Sequence, residues 1–147
     1  YVFSQPAQAL SLPRVYVLAG PRTCSASEQV IAGLRGAGVE VVLVGDTTCG
    51  KPVGFQPVSN CGRTYSVVNF ESVNQRGEGR YWDGLAVTCA VPEDFSAAQG
   101  GDADPLLAAA AVHADTGACP RVAPATARAA RRGTVRDGGG PAEMLAR

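Results

Sequence analysis

The sequence has 147 residues, carries no net charge at pH 7 and is 46% hydrophobic, which is enough apolar material for one buried core. Because acidic and basic residues balance, no overall field favours nucleic acid or an anionic membrane as a partner. No apolar run approaches the length of a membrane span, so membrane insertion of this chain is not expected.

The chain opens on Tyr1-Val2-Phe3, which resembles strand material without a lead-in. We therefore expect an upstream portion of the same polypeptide that carries an export signal. The residues that follow, up to Pro13, are expected to be irregular.

Three elements are then predicted in close succession. Arg14–Ala19 is a β-branched and aromatic run typical of a strand covered on both faces. A helix is predicted over 25–34, and residues 39–44 form a second apolar strand. Strand, helix and strand at this spacing predict a right-handed parallel crossover unit and an α/β fold. The predicted apolar stripe of the helix is Val30, Ile31 and Leu34, and Gly36 and Gly38 are expected to end it.

The second half of the chain contains weaker signals. Residues 64–71 and 85–91 read as strands, and 104–114 reads as an alanine-rich helix that Asp104 caps and Pro105 opens. From about residue 121 the composition shifts to Ala, Arg and Gly. We expect one domain over 1–120 and a flexible tail over 121–147.

Five cysteines are more than a cytosolic domain of this size usually carries, so an oxidising, extracytoplasmic compartment is favoured. Four of them allow three pairings, and we favour Cys49 with Cys61 and Cys89 with Cys119, because each bond closes a neighbouring loop. Cys24 is then left over as a small hydrophobe. With no Cys-x-x-Cys spacing and one distant histidine, neither a metal nor another cofactor is expected.

Lys51 is the only lysine in a chain that otherwise uses arginine. A lysine can be desolvated until it loses its proton, whereas arginine cannot, so Lys51 is a candidate base. A phosphate-binding loop is disfavoured, because Pro52 replaces the magnesium-binding hydroxyl and no helix is predicted to follow.

The turn before the predicted helix, Thr23-Cys24-Ser25-Ala26-Ser27-Glu28, places hydroxyl groups at a helix N-terminus, where developing negative charge is favoured. The same pattern is a capping box, in which Ser25 only caps and Glu28 reaches back. Lys51 favours the chemical interpretation, because the carboxyl ends of two parallel strands share one edge of a sheet.

Taken together, Thr-x-Ser-Ala-Ser-Glu over 23–28 and Thr-x-Gly-Lys over 48–51 resemble the C-terminal processing (tail-specific) protease family, peptidase family S41. The resemblance runs from about residue 10 to 94, and Asp83-Gly84-Leu85 resembles the turn before the last core strands of that family. It implies a ClpP/crotonase-like core, with this chain as the C-terminal half of the catalytic domain, in an exported protein that often carries a PDZ module.

The resemblance implies that Ser25 is the nucleophile, Lys51 the general base, the Ala26 amide an oxyanion donor and Glu28 a supporting group. Gln56 corresponds to a glutamine that orients the lysine, although it falls one place late. The upstream glycine donor of the oxyanion hole has no counterpart. The implied partner is a peptide or protein substrate.

A non-catalytic relative that binds peptides or other ligands is the alternative. A variant that uses histidine would need His113, which lies in the predicted alanine-rich helix. Tyr65, Tyr81 and Trp82 could line a peptide groove, although aromatic residues at strand ends more often pack in the core or at its rim.

Overall fold

A computed structural model describes residues 7, 8 and 10–121 of the chain. The predicted tail over 121–147 lies outside this range apart from Arg121, as do the first six residues. The described part contains two helices and three small sheets.

The main sheet consists of β1 (Arg14–Ala19), β2 (Glu40–Gly45) and β7 (Cys89–Ala90), in the order β1-β2-β7. Both strand pairs are parallel. Helix α1 (Ala26–Gly36) connects β1 to β2, so the predicted strand, helix and strand are present with parallel pairing. The right-handed crossover stays a prediction.

The core is built around β2, whose residues alternate between the two faces of the sheet. Val42 and Val44 pack in one apolar cluster with α2 (Pro105–Thr116), whereas Val41 and Leu43 pack with Ile31 of α1 in another. β2 is therefore covered on both faces, and the prediction of a second apolar strand at this position is confirmed. β1 is half-buried along most of its length, because it pairs with one strand alone in the described sheet.

Helix α1 shows one error in the predicted stripe. Ile31 is 1% exposed, but the neighbouring Val30 is 61% exposed. Successive helical residues point about 100° apart, so two adjacent positions rarely share a buried stripe.

Helix α2 begins as predicted. The Asp104 carboxylate accepts hydrogen bonds from the N–H groups of Leu106 and Leu107, at 2.9 and 3.3 Å, and Pro105 is the first helical residue. The N-cap and proline signals therefore located this helix correctly.

The middle of the chain forms two antiparallel pairs, and these correct the single strand predicted over 64–71. That stretch divides into β5 (Arg63–Tyr65), which pairs with β4 (Val58–Asn60), and β6 (Val68–Glu71), which pairs with β3 (Val53–Phe55). The two halves divide because they have different partners. Of the predicted strand over 85–91, Cys89 and Ala90 alone form β7.

Candidate functional site

The turn between β1 and α1 holds Ser25 in a rare backbone conformation. Its φ of 55° and ψ of −111° are uncommon for a residue with a side chain. Such strain persists where surrounding contacts enforce it, and it occurs often at functional sites. Ser25 is half-buried and directly precedes the helix. Nucleophilic serines of other proteins occupy strained turns between a strand and a helix, and the role of Ser25 as a nucleophile stays a prediction.

Ala26 is the first residue of α1 and is exposed. The N–H groups of a first helical turn have no acceptor inside the helix. The Ala26 amide is thus placed at the positive end of the helix dipole, next to Ser25. Its role as an oxyanion donor stays a prediction.

Glu28 is completely buried and joins the two loops that follow β1 and β2. Its Oε2 accepts hydrogen bonds from the backbone N–H groups of Ser25, at 2.9 Å, and Lys51, at 2.8 Å. Its Oε1 accepts from the Gly50 N–H at 2.8 Å and from the Thr48 hydroxyl at 2.5 Å. Since Ser25 and Lys51 donate to the same oxygen, their backbone nitrogens lie within about 6 Å of each other.

The environment of Glu28 favours its charged form. Burial acts to raise the pKa of this carboxyl, but the hydrogen bonds from Thr48, Lys51, Gly50 and Ser25 together outweigh burial and lower it. A buried carboxylate is tolerated because all of these donors point at it. Glu28 is therefore a fixed negative charge beneath the Ser25 and Lys51 backbones.

Lys51 is exposed, which contradicts the expectation that the candidate base is buried. Its Nζ lies over the ring of Phe55, 5.7 Å from the ring centre. Among the described residues, no hydrogen bond joins this ammonium to the Ser25 hydroxyl. The backbone of Lys51 is anchored on Glu28, whereas its ammonium lies beside Phe55, the last residue of β3.

Gln56 lies just beyond β3 and is exposed. Its backbone N–H donates to Asn69 Oδ1 at 3.1 Å. The structure gives its side chain no hydrogen bond to Lys51, so an orienting role stays a prediction.

The predicted bond between Cys49 and Cys61 is wrong. Cys49 pairs with Cys24, with 5.3 Å between their Cα atoms, and Cys61 is a free, exposed cysteine in the turn between β4 and β5. The second predicted bond, between Cys89 and Cys119, is present. The Cys24–Cys49 bond directly connects the residue before Ser25 to the loop that carries Lys51.

The reason for this pairing is the parallel register. Leu18 lies opposite Val44 and Ala19 opposite Gly45, so the chain leaves both strands side by side. The Cys49 N–H also donates to the Thr23 carbonyl at 3.0 Å. Proximity in the sheet thus outweighs proximity along the sequence, which had favoured Cys61.

Thr48 and Tyr81 both interact with Glu28, a contact that the sequence interpretation did not predict. It used Thr48 as part of a motif and named Tyr81 as a possible groove residue. The Thr48 hydroxyl donates to Glu28 and accepts from the Leu85 N–H at 2.7 Å. The Tyr81 hydroxyl is buried and has no hydrogen-bond partner within the described residues. Burial, and then the charge of Glu28, raise the pKa of Tyr81. The Asp83-Gly84 turn was the available signal that this segment returns to the site.

The other two candidate groove residues, Tyr65 and Trp82, do not pack in the core. Trp82 is 54% and Tyr65 is 52% exposed. The glycines beside this loop allow close contact, since a Cβ on Gly50, whose φ is +82°, would collide with the Trp82 carbonyl.

A cavity of about 310 Å³ opens at the carboxyl end of β1. Its lining includes Leu18, Thr23 and Leu106, with Arg22, Glu93 and Phe95 at the charged and aromatic side. The Arg22 guanidinium lies over the Phe95 ring, 5.0 Å from the ring centre. Thr23 connects this cavity to the Ser25 turn.

His113 lies on α2 and is buried, and its Nδ1 is 3.1 Å from the Tyr16 hydroxyl, in the middle of β1. The described contacts give it no bond to Ser25. Nothing in the structure therefore supports His113 as a catalytic base.

Neither a comparison with protein-family models nor one with curated protein sequences gives a match. Among solved structures, the chain is similar to a crystal structure of a protein from Bacteroides fragilis NCTC 9343 that is assigned to the S41 proteases. The two are 29% identical with a TM-score of 0.64, over 74% of this chain and 29% of that chain.

This chain therefore spans under a third of the protein that it resembles. None of the helices in the described part of the chain is both long and apolar enough to cross a membrane. The similarity indicates part of an S41-like fold and a protease-like relative.

Proposed function

We propose that this chain is the C-terminal part of an S41-type catalytic domain with a ClpP/crotonase-like core, and that it acts as a serine endopeptidase of the tail-specific type. Ser25 is the nucleophile and Lys51 the general base. One observation carries the proposal: a single carboxylate oxygen of Glu28 accepts hydrogen bonds from the backbone N–H groups of both Ser25 and Lys51. The Cys24–Cys49 bond and the structural similarity support it independently.

In the proposed reaction, Ser25 Oγ attacks the scissile carbonyl while the neutral Lys51 amine takes its proton. The Ala26 N–H stabilises the oxyanion. The resulting Lys51 ammonium then protonates the leaving amine of the peptide and becomes neutral again. The neutral amine takes a proton from the water molecule that attacks the acyl-enzyme, and it returns this proton to Ser25 Oγ as the acyl group leaves. No metal or other cofactor is needed for these steps.

A neutral amine requires shielding from water, and Lys51 is exposed in this structure. In the proposal, the bound peptide and an upstream part of the same polypeptide cover it and supply the second oxyanion donor. A side chain of the peptide occupies the cavity beside Thr23, where apolar and charged groups meet. The two disulfides support an extracytoplasmic location, in the periplasm, the cell envelope or outside the cell.

The test uses the full-length protein and a peptide substrate. Ser25→Ala should lower kcat/KM by about a thousandfold or more, because the acyl-enzyme cannot form. Ser27→Ala is the matched control, since it changes the same helix turn, and it should retain most of the activity. A reversed ranking would show that the wrong serine had been chosen.

Lys51 is tested by two substitutions. Lys51→Arg should be as inactive as Lys51→Ala, because a guanidinium keeps its charge and cannot accept a proton. Substantial activity of Lys51→Arg would contradict the proposed base. If all variants and the parent protein bind peptides equally but hydrolyse none, the chain is the non-catalytic relative.

A further inference from the structure

A second cluster of chemically active side chains lies between β7 and α2, away from the Ser25 turn. It consists of Cys89, His113 and Cys119, whose candidate ligand atoms all lie within 4.8 Å of one another. Cys89 is 1% and His113 8% exposed, and Cys119 is exposed to solvent. In the structure the two cysteines are joined as a disulfide.

The donor set is suited to a thiophilic metal ion. Two thiolates and an imidazole are ligands that Zn²⁺ prefers, and they are found together in zinc sites that keep one position open. The three residues are held by different elements: Cys89 by β7, His113 by the last turn of α2, and Cys119 by the segment that follows it. Their proximity is therefore produced by the fold and not by spacing along the chain.

Tyr16 supplies the kind of supporting contact that metal-binding histidines have. Its hydroxyl is 3.1 Å from His113 Nδ1, and the two rings meet edge to face with their centres 5.7 Å apart. When Nδ1 carries the proton and donates to Tyr16, Nε2 keeps its lone pair and becomes the ligand atom. Such an outer contact fixes the ring and its tautomer.

We propose that Cys89, His113 and Cys119 form a Zn²⁺ site when the Cys89–Cys119 bond is reduced. A dithiol reductant supplies two electrons and two protons, so that the S–S bond breaks while the dithiol becomes a disulfide. Zn²⁺ then displaces the two thiol protons and forms two Zn–S bonds and one Zn–N bond. Solvent reaches the exposed Cys119, so water fills the fourth position.

The bound metal ion would link the same two parts of the chain as the disulfide does. In the oxidised chain the disulfide joins β7 to the segment after α2, and in the reduced chain the metal joins the same two elements. This inference does not depend on the proposed peptidase, because none of its residues contacts Ser25 or Lys51 in the structure.

The test measures binding of Co²⁺, a spectroscopic substitute for Zn²⁺, to the chain with Cys61→Ser, which removes the exposed free thiol. A phosphine reduces both disulfides, and water supplies the oxygen of the phosphine oxide and the two protons of each new thiol pair. The reduced protein should show thiolate-to-cobalt and tetrahedral d–d absorption that added Zn²⁺ removes, and the oxidised protein should show neither. Tyr16→Phe should weaken binding by roughly tenfold to a hundredfold.

Two variants separate this site from the other reduced pair. His113→Gln should abolish the tetrahedral spectrum, whereas Cys24→Ser/Cys49→Ser should retain it. If that double variant does not fold, Zn²⁺ should still raise the melting temperature of the reduced Cys61→Ser protein and leave its His113→Gln form unchanged. Absence of the cobalt spectrum, or a spectrum that His113→Gln does not alter, would overturn the proposal.

Discussion

Glu28 is the residue on which the geometry around Ser25 depends most directly. Glu28→Gln replaces one acceptor oxygen by an NH₂ group, which would face buried N–H or hydroxyl donors and leave them unpaired. We expect a loss of about 2–4 kcal/mol in the free energy of unfolding, measured by urea denaturation at neutral pH. Glu40→Gln is the control. Glu40 pairs with Arg14 on the surface, where water screens the interaction, so this substitution should destabilise the chain far less than Glu28→Gln. Equal losses for both variants would contradict the role of Glu28.

The Glu28 contribution should also depend on pH. Its pKa is lower in the folded chain than in the unfolded chain, so the unfolded state binds the proton more readily. The stabilisation is therefore complete above the unfolded pKa and is lost as the pH falls through the folded pKa. The stability difference between the parent and Glu28→Gln should shrink in acid. A difference that stays constant down to strongly acidic pH would show that the charge of Glu28 is not what matters.

In contrast to Glu28, the buried Tyr81 hydroxyl has no hydrogen-bond partner in the part of the chain that the structure describes. Tyr81→Phe removes a desolvated hydroxyl and no hydrogen bond, so the melting temperature should stay constant or rise, by the equivalent of up to about 1 kcal/mol. Tyr16→Phe is the matched substitution, because it removes the hydrogen bond to His113. It should lower the free energy of unfolding by about 1 kcal/mol. A large loss for Tyr81→Phe would mean that its hydroxyl has a partner such as a buried water.

The disulfide pairing in the structure differs from the pairing that the sequence favoured, and the two can be distinguished by experiment. Peptide mapping without reduction should find Cys24 joined to Cys49, Cys89 joined to Cys119, and Cys61 alkylated in the folded protein. A peptide that joins Cys49 to Cys61 would contradict the structure.

The elements that could be predicted from sequence have strong local signals. β1 and β2 are apolar runs, and α2 begins with a capping aspartate and a proline. The division of 64–71 into two strands could not be predicted, because it depends on which distant segments pair with each half. The parallel pairing of β1 and β2 does place the Ser25 and Lys51 loops together. Because Cys24 and Cys49 lie in the same two loops, this argument also predicts their disulfide bond.

The surroundings of individual side chains were less predictable than the loops that carry them. Glu28 could be assigned to the site from its place in the motif, but its hydrogen bonds to Thr48 and Gly50 required the fold. The exposure of Lys51 likewise depends on what covers β3, and no local pattern encodes that.

In the described molecule, the buried strand residues belong mainly to the main sheet, whereas the two antiparallel pairs are largely exposed to solvent. All residues of β4, β5 and β6 are exposed, and isolated two-stranded sheets are marginally stable in water. Hydrogen exchange should therefore be slow in β2 and fast in β4, β5 and β6 of the isolated chain. Equal protection across these strands would show that another surface supports the pairs.

The positions of the two disulfides also divide the described chain into covalent rings. One ring runs from Cys24 to Cys49 and encloses α1 and β2, and the other runs from Cys89 to Cys119 and encloses α2. A backbone cut inside either ring releases no fragment, because the disulfide still joins the two ends. Residues 50–88 connect the rings through a single backbone, and this stretch contains the exposed strand pairs. A cut there would leave two pieces held together by strand pairing and packing alone.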